Sequence, residues 1–524
     1  MEKKKKLIIL GVIALTLVII GTTYAILTWT STKINLGLTS GCFTIDYTKG
    51  QDISGNLKLL NESDLISSNK FTIKNGIGIS AVNIGINSTC TIEGYGSIYL
   101  NVTNISDAFT TGDSKGALKY VVLSNTSTIT TPSSVTVDSL LNQSFDIVSS
   151  GSITSNDTIT LLTKQLSNTE IYKYLVVIYV DNALAGNSIT SAAFQGNISA
   201  DANQGKAPVN AVSLITDLYN NATKTPVTNN SITYQYDTAH NLMQDVGGNI
   251  RYYGADPNNY IYFNCSDYSN QSSSTCETWR IIGVFEGKVK LIRGSQIGTY
   301  SWDNKNTSTG AETAYGKNDW TDARLMKLLN PGYESETTGG SLYYNSGSGN
   351  CYSEQNNAIK ACDFTRTGIK NDKTRGLISE ETYSLLGWNL THVYANEIYE
   401  YERSTGKVYS GRPTEWTGKI ALAYPSDYGY ATDLSKCSQT LSDYDYCTSN
   451  NWMKTIMAPN GGWLLTLRSD NAKYAWRVNP SSGDVRFNAE VCSTYGVAPV
   501  LYLGSELAIK AGTGSSSVPY QLTA

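Results

Sequence analysis

Histidine is nearly absent from this chain, whose 524 residues contain only His240 and His392. Neither belongs to an H-E-x-x-H motif, which gives no support to a zinc protease. Neither accompanies a G-x-S-x-G elbow, which gives no support to a serine hydrolase. The cysteines form no C-x-x-C pair, so zinc is not expected. Charged residues are also sparse, at 16%. Because no basic stripe follows the N-terminus, we expect no nucleic-acid partner.

The N-terminus follows the pattern of an export signal. Four lysines at residues 3–6 precede an apolar run that ends in small residues. This order predicts a signal peptide over residues 1–25, with Thr23 and Ala25 three and one positions before the cut. The alternative is an uncleaved anchor over residues 7–27, long enough to cross a bilayer core of about 30 Å. Either fate places the remainder outside the cytoplasm, at the cell surface or in the extracellular matrix.

The cysteine spacing predicts disulfides, which form and persist in exported proteins. Six of the nine cysteines form three close pairs, two lie in the first half and one is left over. Closing each short loop would stabilise the fold by about 2–3 kcal/mol. The predicted pairs are Cys42–Cys90, Cys265–Cys276, Cys351–Cys362 and Cys437–Cys447, with Cys492 unpaired.

The first half predicts a mainly β domain over residues 26–205. Apolar and polar residues alternate between turns rich in Gly, Asn and Ser, as in "INLGL" and "CFTIDY". The stretch "YKYLVVIYVDN" is apolar on both faces, as expected of a central strand in a two-layer sandwich. Repeated strands with such turns are typical of an antiparallel sandwich or jelly roll.

A polar segment, "DANQGKAPVN", leads into a predicted linker over residues 206–231. Within this linker, "AVSLITDLYNNA" has Val212, Ile215 and Leu218 at helical spacing. This spacing predicts a short amphipathic helix that packs on one of the two domains.

Residues 232–524 mix strand and helix patterns, which predicts an α+β domain. The stretch "FEGKV" lies between two β-rich runs and predicts a hairpin. "WTDARLMKLLN" predicts a helix with a buried leucine stripe, capped by Thr321 or Asp322. "SEETYSLLGW" predicts a second helix, capped by Ser379.

The N-terminal half then shows a resemblance. "GTTYA", followed by a strand, a turn and "TSGCFTIDYTKGQDI", resembles the secreted camelysin and TasA biofilm-matrix family of Gram-positive bacteria. "YKYLVVIYVDNALAGNSITSAAFQGNISADA" resembles the last strands of that module, so the likeness covers about residues 1–205. The resemblance implies cleavage after Ala25, a jelly-roll fold and assembly into fibres or matrix. A freed "ILTWTSTKINLGL" would pair with a neighbour's sheet edge; alternatively, it is the domain's own first strand.

A second resemblance covers about residues 232–522. It rests on "CETWRIIGVFEGKVKLIR", "NDWTDARLMKLLN", "WTGKIALAYPSDYGYA", "GGWLLTLRSD", "AWRVNPSSGDV" and "YGVAPVLYL", in this order. These motifs look like those of surface domains related to formylglycine-generating and C-type-lectin-like folds. The last motif commonly contains an arginine where this chain has Ala498. The resemblance implies an α+β lectin-like fold but does not define an activity.

Calcium-dependent binding, which lectin-like folds support, requires carboxylate and amide oxygens clustered at one site. The candidate ligands are Asp319 and Asp322 in "NDWTD" and Asp427 and Asp433 in "PSDYGYATD". Helix capping explains the first pair equally well. No E-P-N or Q-P-D triplet, the sugar-selecting element of lectins, occurs. No other cofactor is predicted.

No convincing catalytic constellation emerges from the sequence. An oxidase of the formylglycine-generating type needs two close cysteines, and Cys492 has no basic sequence neighbour to activate its thiol. The glutamates of "YANEIYEYERSTG" are interleaved with tyrosine, which indicates a solvated surface; they are Glu397, Glu400 and Glu402. The two histidines are predicted to be surface or capping residues.

We therefore expect a secreted Gram-positive surface or matrix protein, not an enzyme, that displays a lectin-like domain for adhesion to an extracellular glycan or protein ligand. The 36 tyrosines suit binding surfaces, although half-buried strands also favour tyrosine. The alternatives are the oxidase and a structural fibre subunit without a specific ligand.

Overall fold

The computed structural model describes residues 42–47, 57–86, 90, 92–124, 135–167, 170–336, 339–354, 356–505 and 507–523. The predicted signal segment with Thr23 and Ala25, and the "INLGL" strand, lie outside these residues. None of the helices among these described residues could span a lipid bilayer. The chain forms two compact units, Met1–Ala207 and Pro208–Ala524. The structure is mainly β, as the sequence predicts.

The first unit consists of eleven described strands and a few single-turn helices. The strands are β1 (Phe43–Tyr47), β2 (Leu59–Leu60), β3 (Ile66–Ser67), β4 (Lys70–Thr72), β5 (Gly78–Ile86), β6 (Gly94–Ile105), β7 (Leu118–Ser124), β8 (Ser144–Ser152), β9 (Thr158–Leu166), β10 (Ile171–Asp181) and β11 (Phe194–Gln204). The helices are α1 (Glu62–Leu65), α2 (Asp107–Thr110), α3 (Val137–Leu140) and the 3₁₀ turns Asn182–Leu184 and Asn187–Ser191.

Two sheets of this unit form a sandwich. The larger has the order β1-β5-β10-β7-β8-β4-β3 with β2 beside β10, and the smaller has the order β11-β6-β9. Strand β10 is central and buried on both faces, as its continuous apolar sequence predicts. Val176 and Ile178 pack in the cluster that includes Ile98 of β6. Leu175 and Val177 pack in a second cluster on the other face of the sheet.

The second unit has twenty-two described strands. They are β12 (Val209–Asn210), β13 (Thr225–Asn229), β14 (Ile232–Asp237), β15 (Leu242–Gln244), β16 (Ile250–Tyr252), β17 (Tyr260–Phe263), β18 (Glu277–Phe285), β19 (Lys288–Arg293), β20 (Thr299–Ser301), β21 (Ser348–Tyr352), β22 (Ala358–Asp363), β23 (Ile378–Ser379), β24 (Glu381–Ser384), β25 (Glu415–Gly418), β26 (Ile420–Ala421), β27 (Gly462–Leu467), β28 (Tyr474–Val478), β29 (Val485–Glu490), β30 (Thr494–Gly496), β31 (Val500–Leu503), β32 (Ala508–Ala511) and β33 (Gln521–Leu522).

Short helices connect these strands. The α-helices are α4 (Ala211–Asn221), α5 (Arg324–Leu329), α6 (Asp372–Leu377), α7 (Ala395–Glu400), α8 (Pro425–Tyr430) and α9 (Lys454–Met457). A π-helical turn, Tyr401–Thr405, continues α7. The 3₁₀ turns are Thr307–Thr309, Trp320–Asp322, Leu441–Tyr446 and Thr448–Asn450.

A ten-stranded sheet organises the second unit. Its path is β13-β14-β15-β16-β18-β19-β31-β23, with β17 beside β18 and β26 beside β31. A five-stranded sheet, β20-β30-β27-β28-β29, and smaller sheets complete the unit. The core is rich in indole rings, because six tryptophan side chains are among its largest fully buried groups. These tryptophans are therefore core residues rather than a binding surface.

The helix predicted in residues 206–231 is present and belongs to the second unit. Asn210 caps it by accepting hydrogen bonds from the amides of Val212 and Ser213. Ile215 and Tyr219 are buried in the main core. Val209 and Asn210 also pair with β32. The compact unit thus begins ahead of this helix, at Pro208.

The prediction of a helix capped by Ser379 is wrong. Ser379 ends the short strand β23, which pairs with β31, and the next residues form β24 opposite β25. Pairing with strands distant in sequence overrides the local helical pattern here. The helix α5 is present with its leucines buried. However, neither Thr321 nor Asp322 caps it: Asp319 caps the preceding 3₁₀ turn.

All four predicted disulfides are confirmed. They are Cys42–Cys90, Cys265–Cys276, Cys351–Cys362 and Cys437–Cys447. Cys492 is the free cysteine and is half-buried. Four disulfides indicate that the protein folds in an oxidising environment.

Candidate functional site

An aromatic cleft in the second unit combines open space with anchored polar groups. Its volume is about 280 Å³. The lining residues come from the β18–β19 hairpin, strand β24, the segment from α7 into the π-helical turn, and strand β31. Four tyrosines and one phenylalanine form much of the wall; they are Phe285, Tyr383, Tyr399, Tyr424 and Tyr502.

The β18–β19 hairpin forms one rim of the cleft. Its two turn residues, Glu286 and Gly287, have φ angles of 48° and 75°. Positive φ at both central positions is the geometry of a two-residue turn that matches strand twist, and glycine adopts it without strain. The hairpin is therefore present where the "FEGKV" sequence predicts it. Its turn places the exposed Glu286 at the cleft.

The π-helical turn supplies the only arginine in the lining. The Nη1 atom of Arg403 donates to Oε2 of Glu402 at 2.8 Å and to Oγ of Ser426 at 3.4 Å. The guanidinium lies 3.9 Å from the ring centre of Tyr399 and 4.9 Å from that of Tyr424. These contacts hold the guanidinium against aromatic faces, where cation–π attraction stabilises it. Its side chain is 25% exposed.

Glu402 is buried, contrary to the predicted solvated surface. Its Oε1 accepts from the amide of Ser426 at 3.0 Å, and its Oε2 accepts from the Ser426 hydroxyl. Burial raises the pKa of Glu402, and Arg403 offsets part of this rise. The two other glutamates of the segment differ, because Glu400 is exposed and Glu397 accepts from the amide of Tyr394 at the start of α7.

A group of buried ion pairs lies next to Arg403, and we call it the ion cluster: Asp245, Arg251, Lys290 and Asp427. The Oδ1 atom of Asp427 accepts from Nη1 of Arg251 at 2.8 Å, and its Oδ2 accepts from Nζ of Lys290 at 2.6 Å. Asp245 accepts from Nε of Arg251 at 2.5 Å. All four side chains are at most 1% exposed.

The electrostatics of the ion cluster follow from these pairings. Burial alone would raise the pKa of Asp427, but Lys290 and Arg251 outweigh it and hold this pKa well below its usual range. Burial lowers the pKa of Lys290 to about 8, although Asp427 opposes the shift. At neutral pH both groups are therefore charged and paired. Sequence reasoning missed this cluster, although a lysine among the apolar residues of β19 is a detectable signal.

The predicted calcium ligands do not come together as a metal site. Asp319 accepts from Thr321 and pairs with a lysine, and Asp322 pairs with Lys305 and Lys327. Asp433 accepts from the amide of the residue two positions on and pairs with Lys436, and Asp427 belongs to the ion cluster. Over the described residues, no group of three His, Cys, Asp or Glu side chains could hold a metal ion.

The remaining chemical candidates lie apart from the cleft lining. His240 pairs with Asp237 at 2.7 Å, and His392 lies 2.9 Å from the Ser442 hydroxyl. Cys492 has a pKa raised by burial and by the charge of Glu490. Since the other eight cysteines form disulfides, no second free thiol is present to form, with Cys492, the cysteine pair that the oxidase needs.

Comparison with known proteins adds no assignment: no protein-family model matches the sequence, and no curated protein matches it. The geometry of the cleft is therefore the main indication of function.

Proposed function

We propose that this chain is a secreted bacterial surface or matrix protein whose second unit binds an extracellular ligand in the aromatic cleft, and so serves in adhesion or recognition. The observation that carries the proposal is the cleft itself. A small cavity with aromatic walls and few, well-anchored polar groups is the usual form of a ligand site. The four disulfides support the extracellular part of the proposal.

The sequence resemblances extend this proposal. A camelysin/TasA-like sandwich would hold the second unit in the matrix, and a C-type-lectin-like second unit would present the cleft. The first unit's sandwich is compatible with that role. A glycan is the preferred ligand class, because aromatic rings pack on sugar faces while the polar groups bind hydroxyls. The formylglycine-generating oxidase is disfavoured, since Cys492 lacks the partner thiol that such chemistry needs.

A steric block of the cleft tests the proposal. Thr382 is exposed, lines the cleft and bonds to Thr417 on the neighbouring antiparallel strand. We expect Thr382→Trp to abolish binding of the exported protein to a glycan array, because the indole would fill the cavity. Thr228→Trp is the matched control, since Thr228 is also exposed and bonds across a hairpin to Thr233. Loss of binding in both variants, or in neither, would contradict the assignment of the cleft.

A further inference from the structure

Arg403 has one occupied edge and one open edge. Its Nη1 atom holds both of its hydrogen bonds, to Glu402 and Ser426. Its Nε and Nη2 atoms donate no hydrogen bond to any residue that the structure describes, and the side chain lines the cleft. The rings of Tyr399 and Tyr424, with centres 3.9 and 4.9 Å from the guanidinium, restrict its movement. A fixed, planar pair of donors suits two acceptor oxygens side by side.

Two oxygens side by side occur in a carboxylate and in a pair of neighbouring hydroxyls, and charge distinguishes them. Beneath the cleft, three carboxylates (Asp245, Asp427 and Glu402) accompany three cations (Arg251, Lys290 and Arg403). No cation there is left without a carboxylate partner to compensate an added negative charge.

The rim of the cleft adds negative charge rather than positive. Glu381 pairs with Lys288 and accepts from the hydroxyl of Ser379 at 2.6 Å. Glu286 has no ion-pair partner among the residues described, so the rim carries one uncompensated negative charge. An anionic ligand would face this charge, and like charges placed together disfavour binding. A cationic ligand would instead face Arg403. Both arguments favour a neutral ligand.

The other polar groups of the lining fit hydroxyls as well. Ser384 and Thr382 contribute side-chain hydroxyls, and the amide of Asn249 is held in place by donating to Tyr399 at 2.9 Å. The volume of about 280 Å³ is at the small end of ligand sites. A cavity of this size suits a single ring more than an extended chain.

We infer that the cleft recognises a neutral sugar ring through two neighbouring hydroxyls bound to Nε and Nη2 of Arg403. This inference rests on the proposed function. Glu402 and Ser426 act as positioning residues, since they hold the opposite edge of the guanidinium. The ligand class is thus a neutral sugar, and Arg403 is the residue that recognises it.

The test measures binding of the exported protein to methyl glycosides of neutral hexoses and N-acetylhexosamines, with a methyl glucuronide as the acidic comparator. At least one neutral glycoside should bind. The glucuronide should bind with an affinity at least about tenfold lower. Arg403→Lys keeps the charge but removes the paired donors, so it should weaken binding by about tenfold or more. Arg366→Lys, at an exposed arginine outside the lining, should leave affinity unchanged.

A readout on the unaltered protein makes the test independent of how the variants fold. Affinity for a neutral sugar should change less than about twofold between about 50 and about 500 mM salt, whereas a carboxylate bound to arginine would lose affinity as salt rises. Preference for the glucuronide, strong salt dependence, or full affinity in Arg403→Lys would overturn the inference and leave the proposed function intact. Binding to no glycan at all would instead overturn the proposed glycan function, and the inference with it.

Discussion

Replacing Asp427 with asparagine should be among the most damaging conservative changes in the second unit. Its two carboxylate oxygens accept from Arg251 at 2.8 Å and Lys290 at 2.6 Å, and Oδ2 also accepts from the amide of Tyr424 at 2.9 Å. All three charged side chains are at most 1% exposed. Asparagine retains the size of aspartate and one acceptor oxygen. The change therefore removes the charge while leaving little room for a cavity.

The expected cost follows from the two cations that remain. Removing one partner of a buried ion pair typically destabilises a protein by about 3–5 kcal/mol, because the other charge stays buried without compensation. Here Lys290 loses its carboxylate partner, whereas Arg251 keeps Asp245. We therefore expect a loss of about 3 kcal/mol or more. Since native stability is about 5–15 kcal/mol, this is a large fraction of the total.

Urea denaturation of the exported protein, followed by tryptophan fluorescence, measures this loss. The signal reports on the second unit, because every tryptophan except Trp29 lies there. Asp445→Asn is the matched control: Asp445 is exposed in the same unit, and its substitution should leave the midpoint unchanged. A loss below about 1 kcal/mol for Asp427→Asn would refute the reasoning, since it would mean that the cations are rehydrated or deprotonated at little cost.

Two further predictions concern acid and thiols. The folded-state pKa of Asp427 is depressed, so its contribution to stability is present above the ordinary value of 3.8 and is lost as pH falls below it. Unfolding curves taken at decreasing pH should therefore show a steeper acid loss for the unaltered protein than for Asp427→Asn; equal slopes would contradict this. Because eight of nine cysteines form disulfides, thiol titration of the denatured, unreduced protein should find one thiol per chain. A count of nine would overturn the disulfide assignment and the extracellular proposal together.

Features set by short-range pattern could be predicted from the sequence. The double-sided apolar run of β10 predicts a central strand, and this strand is central. The "FEGKV" turn depends on two adjacent residues and forms where expected. The three close disulfides follow from spacing within short loops. In each case the determining contacts lie within a few residues of one another, or on one strand.

Several features set by distant contacts could not be predicted. The sequence predicts that Ser379 caps a helix. Instead, Ser379 lies in a strand, because it pairs with β31, more than a hundred residues later in the chain. From the sequence, Asp427 is a candidate calcium ligand, but it pairs with Arg251 and Lys290, which come from β16 and β19. Glu402 is predicted to be solvated because it belongs to a run of glutamates interleaved with tyrosine. Only the fold shows that the π-helical turn directs its side chain to the buried Ser426.

The buried charges of the ion cluster lie beside the cleft and require a physical explanation. Apolar residues of similar volume in place of a buried ion pair often leave stability unchanged or raise it, so stability alone does not explain the ion cluster. Arg251 even keeps a buried Nη2 atom without a hydrogen-bond partner among the described residues.

The ion cluster does, however, fix the start of α8, because Asp427 accepts from the amide of Tyr424. That segment supplies the Tyr424 ring and the Ser426 hydroxyl that hold Arg403. A guanidinium fixed in this way loses little freedom when a ligand binds, which favours affinity. We therefore propose that these charges support Arg403, the residue inferred above to bind the ligand.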